Sequence, residues 1–430
     1  MSDLAPFELH DTDHGDLFGA FLAVHAMPGA VLLLHTTVGC KFKTQQNLVD
    51  HDWARPSHHD RIWTGVDDAR LISGSGRRLV EFATTWYERR RPDVFFVATN
   101  AAIELSAFDV EAAVEDLRAR LPCPVVLLKA PGWAGGLGRG YRRVVEAVAG
   151  LIDWRPEPDP ASVAIAGYLF DRFEMDHAAN LGEVRRLLAA IGAKVPAVLL
   201  GGEGLPRLAE AARAASILVL PHAHASLPAL AAASGRRCVA TDLPVGLHGT
   251  SRFLRAAGGA AGVPPEKVEA AIDRELSRAV PTIGRVEGRL RGLAAAVCLD
   301  TPLAAAVTAH LAEIGVRVPL VVLTDGGEAD ETAYRETLAR HGCPAAPGRV
   351  IAGASHDRTI EAMRETWRAE PFRVAFGSSF QLRAGTGRWG LVQMGYPCAE
   401  KHWIYPVPWM GFNGAVALVQ RMLDAAGQVA

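Results

Sequence analysis

The polar and apolar positions of this chain form a recurring pattern of short apolar runs and longer amphipathic segments. The first clear run is Ala30-Val31-Leu32-Leu33-Leu34, which follows Pro28-Gly29 and leads into a Gly39-Cys40 turn. A continuous Val/Leu run of this length predicts a strand buried on both faces, as in a parallel sheet. Similar runs at 93–100 and 124–128 are each followed by a segment with helical spacing. The amino-terminal part therefore predicts a βαβ series.

Two further series follow a proline-rich linker. This linker, Trp154-Arg155-Pro156-Glu157-Pro158-Asp159-Pro160, has three prolines in five residues, which excludes a helix or a central strand. The second series has predicted strands at 163–170, 196–200, 217–220 and 238–241. A helical stretch at 264–285 leads into the third series. Three successive series predict an α/β protein of three Rossmann-like, doubly wound domains, at residues 1–155, 156–285 and 286–430.

Length, charge and cysteine spacing narrow the class of protein. The chain has 430 residues and a net charge of −2, which argues against a nucleic-acid binder that relies on bulk charge. No apolar run approaches the roughly 20 residues of a membrane span, and the amino terminus has no signal-like core, so we expect a cytoplasmic protein. The six cysteines are scattered, which is typical of neither a disulfide framework nor a complete local metal site.

The Gly39-Cys40 turn is the leading candidate for chemistry. It lies at the carboxyl end of a predicted strand, where open α/β sheets build their sites. Gly39 permits close approach of a bulky group, and the cations of Lys41 and Lys43 favour the thiolate form of Cys40. A buried structural cysteine is the alternative interpretation. A metal bound by Cys40 would take most of its other ligands from elsewhere in space, including another chain.

A histidine-rich segment, His51–Arg61, comes after this turn. Its adjacent pair His58 and His59 has the side-chain chemistry for proton delivery. Covering a bound group or contacting a partner subunit are the alternatives. His222 and His224 follow a predicted strand of the second series and are candidates to line a cleft, with an ordinary polar loop as the alternative.

Aromatic residues in glycine-rich and carboxyl-terminal loops form a second group. If exposed, they mark subunit contacts, and we expect this of Trp133, Trp389, Trp403, Tyr405 and Trp409. Three cysteines in or beside apolar strands are interpreted as core residues, namely Cys123, Cys238 and Cys298. The first strand of each series lacks the GxGxxG fingerprint, and the chain has no Walker A loop. The expected fold is therefore Rossmann-like without a nucleotide signature.

Short motifs occur in a particular order along the whole chain. They are Thr37-Val38-Gly39-Cys40, Trp63-Thr64-Gly65-Val66-Asp67-Asp68 with Gly74 and Gly76, Pro92-Asp93, Ala98-Thr99-Asn100, Pro131-Gly132, Pro244-Val245-Gly246 and Gly411-Phe412-Asn413-Gly414-Ala415. In this order, over three βαβ series, the chain resembles component 1 of the nitrogenase-like reductases. The resemblance implies the nitrogenase component 1 fold, paired α-type and β-type subunits, and a separate iron–sulfur ATPase that supplies electrons.

Departures from the family pattern locate the chain within the family. The fullest pattern has three cysteines per subunit for a large interface cluster, and here only Cys40 matches, since the other two positions fall near His25 and at Asn100. This resembles β-type subunits of cofactor-assembly scaffolds and of chlorophyllide reductase, in which one cysteine joins three from the α-type partner around a [4Fe-4S] cluster. A larger P-cluster-like cluster, with His25 or a neighbour as a further ligand, is the alternative.

The resemblance also implies a function. The chain would be the β-type subunit of a reductase, in a heterotetramer with an α-type paralogue. An ATP-binding iron–sulfur reductase homodimer would supply electrons for a tetrapyrrole, a thioether or another small molecule. No cysteine stands near His222-Ala223-His224, where α-type subunits carry a cofactor ligand, so no active-site metallocofactor is assigned to this chain. The alternatives are a non-catalytic scaffold for nitrogenase cofactor assembly and a metal-free α/β protein that binds a sugar or another metabolite.

Overall fold

The computed structural model describes residues 15–37, 61–67, 69, 74–106, 108–133, 135–325, 328–343, 347–379, 381 and 388–427. The chain divides into two compact units. The amino-terminal unit comprises His14–Phe173 and Val195–Ala240, and the carboxyl-terminal unit contains Glu174–Lys194 and Thr241–Ala430. All the strand pairs of the three described sheets are parallel, so the predicted α/β class is confirmed. The three-domain boundaries stay a prediction.

The amino-terminal unit begins with a helix and a four-stranded sheet. Its elements are α1 (Asp16–His25), β1 (Ala30–His35), β2 (Arg61–Trp63), α2 (Gly76–Arg90), β3 (Val94–Thr99), α3 (Ala101–Leu105), α4 (Val110–Arg120), β4 (Val125–Leu128) and α5 (Leu137–Leu151). The strand order is β2-β1-β3-β4. Every residue of β1 and β3 is buried, as the continuous apolar runs predict for a parallel sheet with both faces covered.

Alternation along β1 decides which side chains face which helices. Val31 and Leu33 belong to one core cluster together with residues of α2 and α4. His35 is two residues further along the same strand, so its side chain points to the same face. Elsewhere in the unit, α1 packs closely against α5, and a Cβ on Gly140 would lie 1.6 Å from the Asp16 carbonyl oxygen. Gly140 is therefore required by the close approach of the two backbones.

The chain continues with β5 (Asp159–Ala166), α6 (Met175–Ala190), α7 (Leu205–Leu208), a 3-10 turn (Ala209–Arg213), β6 (Ala214–Val219), a second 3-10 turn (Pro221–Ser226), α8 (Leu227–Ser234) and β7 (Arg237–Ala240). Helix α6 belongs to the carboxyl-terminal unit, and the strands form a sheet of order β5-β6-β7. The predicted strand at 196–200 is wrong in extent, because only Val198 bridges to Ile165. Arg236 anchors the proline-rich linker by donating to the carbonyls of Trp154 and Pro156 at 3.1 and 2.7 Å.

The carboxyl-terminal unit is built on a five-stranded sheet. Its remaining elements are α9 (Gly246–Ala260), α10 (Pro265–Gly284), α11 (Glu287–Leu290), β8 (Ala295–Leu299), α12 (Thr301–Glu313), β9 (Val318–Leu323), α13 (Glu328–Arg340), β10 (Pro347–Ala352), α14 (His356–Ala369), β11 (Val374–Gly377), β12 (Gly390–Gln393) and α15 (Gly411–Gly427). The order β10-β9-β8-β11-β12 winds outward in both directions from β8, as in doubly wound folds. Among the described helices, all are too short or too polar to cross a membrane.

Two of the late sequence motifs meet in this unit. The Gly411 amide donates to the Pro244 carbonyl at 2.7 Å, which joins the start of α15 to the segment before α9. Glu313 of α12 accepts the first amides of α9, from Leu247 at 2.9 Å and from His248 at 2.7 Å. His310 connects this carboxylate to α15, because its Nδ1 lies 3.1 Å from Glu313 Oε2 and its Nε2 lies 3.2 Å from the Ala415 carbonyl oxygen. These motifs therefore serve the packing of the unit.

Burial and hydrogen bonding act on Glu313 in opposite directions. Burial raises the pKa of the Glu313 carboxyl group, whereas His310 and the two α9 amides lower it. The net pKa is below the ordinary value for glutamate, because three donors stabilise the carboxylate. The charged form is thus the one that caps α9.

Candidate functional site

The four-stranded sheet reverses its winding direction between β1 and β3. From this point β2 lies on one side, whereas β3 and β4 follow on the other. In open α/β sheets, ligands bind outside the carboxyl ends of the strands at such a switch point. Strand β1 ends at His35 and β3 ends at Thr99, and these two residues are partners in the strand register. The candidate functional site is this edge of the sheet.

Three residues predicted for the site, Cys40, His58 and His59, lie outside the described residues. The described chain leads toward Cys40 through Thr36 and Thr37. The Thr36 amide donates to Thr64 Oγ1 at 3.2 Å, and the Val66 amide donates to the Thr36 carbonyl at 2.9 Å. Thr37 bridges to Val66 in parallel register. The start of the connection that carries Cys40 is therefore held along the β2 side of the sheet.

His35 is a buried polar residue at the switch point that the sequence reasoning missed. Its Nε2 is hydrogen-bonded to Ser75 Oγ at 2.7 Å, and its ring centroid lies 5.1 Å from that of Phe108. Burial lowers the pKa of His35 to about 4, so the imidazole is neutral near neutral pH. The available signal was a histidine that ends an otherwise apolar strand.

The two positions where the family pattern would have further cysteines have structural contacts here. Asn100 Oδ1 accepts the Ile103 amide at 3.3 Å and caps the start of α3. His25 is buried at the end of α1, with its ring edge-on to Phe173 at a centroid distance of 5.3 Å. The residue at the β3 end thus contributes a helix cap at the switch point, in place of a thiol.

A buried carboxylate fixes the loop that follows β4. Asp16 Oδ1 accepts the amide of Gly132 at 2.7 Å, and Asp16 Oδ2 pairs with Arg139. The Asp16 amide donates to the Gly135 carbonyl at 2.7 Å. Trp133 lies within this loop and is 56% exposed, as expected from the sequence. The loop therefore presents an aromatic side chain at the same edge as the end of β1.

The expectation of exposure fails for two of the other aromatic residues. Trp389 is buried against Phe372, with ring centroids 5.0 Å apart, and Trp409 is buried with its amide donating to Asn180 Oδ1 at 2.8 Å. Each closes part of the core of its own unit, so neither offers a free surface. Tyr405 is 72% exposed. Trp403 is partly covered by the Arg421 guanidinium, which lies 3.8 Å from its ring centroid.

The described cysteines are held as thiols. Cys298 is buried in the core of the carboxyl-terminal unit, where burial raises its pKa to about 12. Burial also raises the pKa of Cys123, Cys238 and Cys343, and Cys398 is buried with its Sγ donating to the Gly395 carbonyl at 2.8 Å. The core interpretation is confirmed for Cys298, whereas Cys123 and Cys238 are half-buried. Within the described ranges, no three His, Cys, Asp or Glu residues are grouped to hold a metal ion.

His222 and His224 lie in the 3-10 turn that follows β6. The Nε2 of His224 is 3.0 Å from the Val219 carbonyl oxygen, a contact that holds the turn to the end of its own strand. This contact favours the structural alternative for His224.

Parallel sheets covered by helices, together with a switch-point edge, define an α/β protein. In the part of the chain that the structure describes, this edge lacks a full set of metal ligands, so a metal bound there would need groups from beyond these residues. The chain belongs to the family described as nitrogenase component 1 type oxidoreductase, whose sequence model matches residues 16–426. It is accordingly a subunit of an oxidoreductase family, and its β-like character follows from the relatives below.

Curated relatives come from three kinds of protein. The nitrogenase molybdenum-iron protein beta chain of Acidithiobacillus ferridurans is 24% identical over 91% of this chain and 79% of the relative. The nitrogenase iron-molybdenum cofactor biosynthesis protein NifE of Rhizobium meliloti is 24% identical over 74% of this chain and 68% of the relative. A light-independent protochlorophyllide reductase polypeptide from Methylobacterium radiotolerans is 28% identical over 58% of this chain and 47% of the relative.

A solved structure has the same fold. The chain titled nitrogenase Cp1 at pH 6.5 matches with a TM-score of 0.82 and 16% identity, over 99% of this chain and 94% of that one. At this identity the match supports the fold alone, and it confirms the predicted nitrogenase component 1 fold.

Proposed function

We propose that this chain is the β-type subunit of a nitrogenase-like reductase, and that Cys40 is its only thiolate ligand to an iron–sulfur cluster shared with an α-type partner. The observation that carries the proposal is the switch-point edge between β1 and β3, from which the chain continues toward Cys40. Cys40 follows Thr37 by three residues, and three residues of chain span at most roughly 11 Å. The thiol is thus tied to the edge where this fold class binds its ligands.

The remaining thiols support the same assignment by their chemistry. A cluster is bound by thiolates, and burial disfavours the charged form of a cysteine. Cys123, Cys238, Cys298 and Cys343 all have raised pKa values for this reason. Cys40 alone is followed by two lysines, which favour deprotonation. One thiolate is too few for a cluster with four cysteine ligands, so the other ligands would come from the partner.

A [4Fe-4S] cluster bound here would supply one-electron transfer between the electron donor and the site where the substrate is reduced. The protein's own contribution is to hold the Cys40 connection at the sheet edge through Thr36 and Thr37. The proposed assembly is a heterotetramer with an α-type paralogue, and an ATP-binding iron–sulfur protein is the electron donor. His58 and His59, in the connection between β1 and β2, are proposed to deliver protons.

The alternative function is a scaffold subunit for cofactor assembly, with the same cluster ligand and no turnover of its own. The similarity to NifE of Rhizobium meliloti is the specific observation in its favour. The two functions differ in one measurable property. A reductase complex oxidises its reduced iron protein when substrate is added, whereas a scaffold complex binds and releases a metallocofactor without consuming reductant.

The test is co-expression with the α-type paralogue encoded nearby, followed by iron and acid-labile sulfide analysis of the purified complex. Cys40→Ala should deplete cluster iron, and Cys40→Ser is expected to keep a cluster with altered potential, because a serine oxygen can replace the sulfur as ligand. Cys123→Ala is the matched control, since Cys123 packs against the core and should affect stability alone. Full iron content in Cys40→Ala, or a stable and active iron-free monomer, would refute the proposal.

A further inference from the structure

The carboxyl end of β1 is held from three directions. Its backbone pairs with β3 up to His35 and Thr99. On the other side, the amides of Thr64 and Val66 donate to the carbonyls of Leu34 and Thr36 at 3.2 and 2.9 Å. Both of these contacts lie within the sheet. Toward the helix layer, the hydrogen bond is between His35 Nε2 and Ser75 Oγ, at 2.7 Å.

Ser75 is well placed to receive this contact. It is the residue that precedes α2, it is buried, and its side chain makes no capping bond to the helix. Its hydroxyl group is therefore available to His35. Phe108 packs on the His35 ring and also lies over Gly76, where a Cβ would approach the Phe108 ring to 2.8 Å. The pair is thus enclosed by an aromatic ring and by the start of α2.

Packing alone does not account for a histidine at this place. His35 ends the row of Val31 and Leu33, whose side chains face the same core cluster. An apolar side chain there would leave no polar atom unpaired, whereas His35 Nδ1 is buried without a hydrogen-bond partner among the residues that the structure describes. What the histidine adds over a leucine is its bond to Ser75.

We propose that His35 is a positioning residue for the candidate site: its bond to Ser75 fixes the end of β1 against α2 and thereby positions the Cys40 thiolate five residues further on. This inference rests on the proposed function, because it needs a cluster bound by Cys40. Thr36 and Thr37 continue the strand direction and are held by β2, so a displacement of His35 is passed along a short, constrained segment.

The experiment uses the co-purified complex and four variants, His35→Leu, His35→Gln, Ser75→Ala and the control His224→Leu. Iron retention is measured as the rate of release to an excess of chelator, together with the electron paramagnetic resonance spectrum and the midpoint potential of the reduced cluster. His35→Leu and Ser75→Ala should each release iron about tenfold faster, the magnitude typical of residues that orient metal ligands. His35→Gln, which can still bond to Ser75, should lie between them and the wild type. The control should match the wild type, because His224 bonds in a different sheet.

Normal iron release, spectrum and potential in both His35→Leu and Ser75→Ala would overturn the inference. If His35→Leu does not fold, Ser75→Ala decides, since it removes the same bond and leaves the imidazole in place. The wild type and Cys40→Ala separate the two levels of the argument. A wild-type complex without iron would refute the proposed function and this inference together, whereas iron lost in Cys40→Ala but retained in both other variants would refute only the role of His35.

Discussion

Replacing Glu313 by alanine should strongly destabilise the carboxyl-terminal unit. Its buried carboxylate accepts two amides at the start of α9 and bonds to His310, at distances of 2.7 to 3.1 Å. Hydrogen bonds to a charged group contribute about 1.5–3 kcal/mol each, and a charge at a helix start adds about 0.3–1 kcal/mol. His248 is exposed, so water can replace one of the lost partners. The expected loss in the free energy of unfolding is therefore about 3–5 kcal/mol, the range found when a buried pair is broken.

The glutamine variant provides the matched control, because it keeps the size of the side chain and one acceptor oxygen. Glu313→Gln should lose about half as much stability as Glu313→Ala. The difference between wild type and Glu313→Gln should also depend on pH. Because the folded-state pKa of Glu313 is lowered, its stabilisation is present above the unfolded pKa of about 4.3 and is lost as pH falls through the folded value.

The assay is denaturant unfolding at pH 7 and at several values below pH 4.5, with amide hydrogen exchange of Leu247 and His248 as the local readout. Exchange of these amides should accelerate in both variants, since they lose their charged acceptor. A Glu313→Ala stability within about 1 kcal/mol of wild type, the range of ordinary surface changes, would refute the capping argument. So would a difference between wild type and Glu313→Gln that does not change below pH 4.5.

Three further predictions concern the candidate site. Replacing His58 and His59 by alanine should change turnover and its pH profile while the free energy of unfolding stays within roughly 1 kcal/mol; a large stability loss with unchanged activity would indicate a structural role. Asn100→Ala should cost about 1 kcal/mol through the lost cap of α3 and leave cluster iron unchanged, with Asn100→Asp as the variant that keeps the cap; depleted iron would contradict this assignment. Because burial lowers the folded-state pKa of His35 to about 4, the unfolded state binds a proton first as pH falls, so stability declines below pH 6.5. Between pH 6.5 and 4.5 the wild type should lose about 2 kcal/mol more in denaturant unfolding than His35→Gln, and equal losses would contradict the buried neutral imidazole.

The switch-point edge was only partly readable from the sequence. The run at 30–34 and the run at 93–100 predicted the two central strands, and the structure has them at Ala30–His35 and Val94–Thr99. Their adjacency was not predictable from either segment, because strand neighbours are chosen by long-range packing. The pairing of His35 with Ser75 spans 40 residues, so no local pattern indicated it.

Errors arose where local composition and tertiary packing conflict. Glycine and proline around Trp389 and Trp409 are typical of exposed loops, yet both rings are buried, since a large aromatic side chain next to a core loses more in water than its loop gains. The apolar segment at 196–200 has the composition of a strand, but it bridges to β5 through Val198 alone. In both cases the local signal was correct about polarity and silent about the neighbour.

What the sequence determined by itself was the class of fold and the chemistry available, because burial on both faces imposes continuous apolar runs and because a thiolate can come only from a cysteine. Apolar runs alternating with helical segments specified parallel sheets, and the cysteine spacing specified that any cluster here is incomplete. The tertiary structure decided which polar groups meet: Asn100 with the start of α3, Glu313 with α9, and His35 with Ser75. These contacts depend on distances between segments far apart in the chain, which only the packed arrangement of sheets and helices defines.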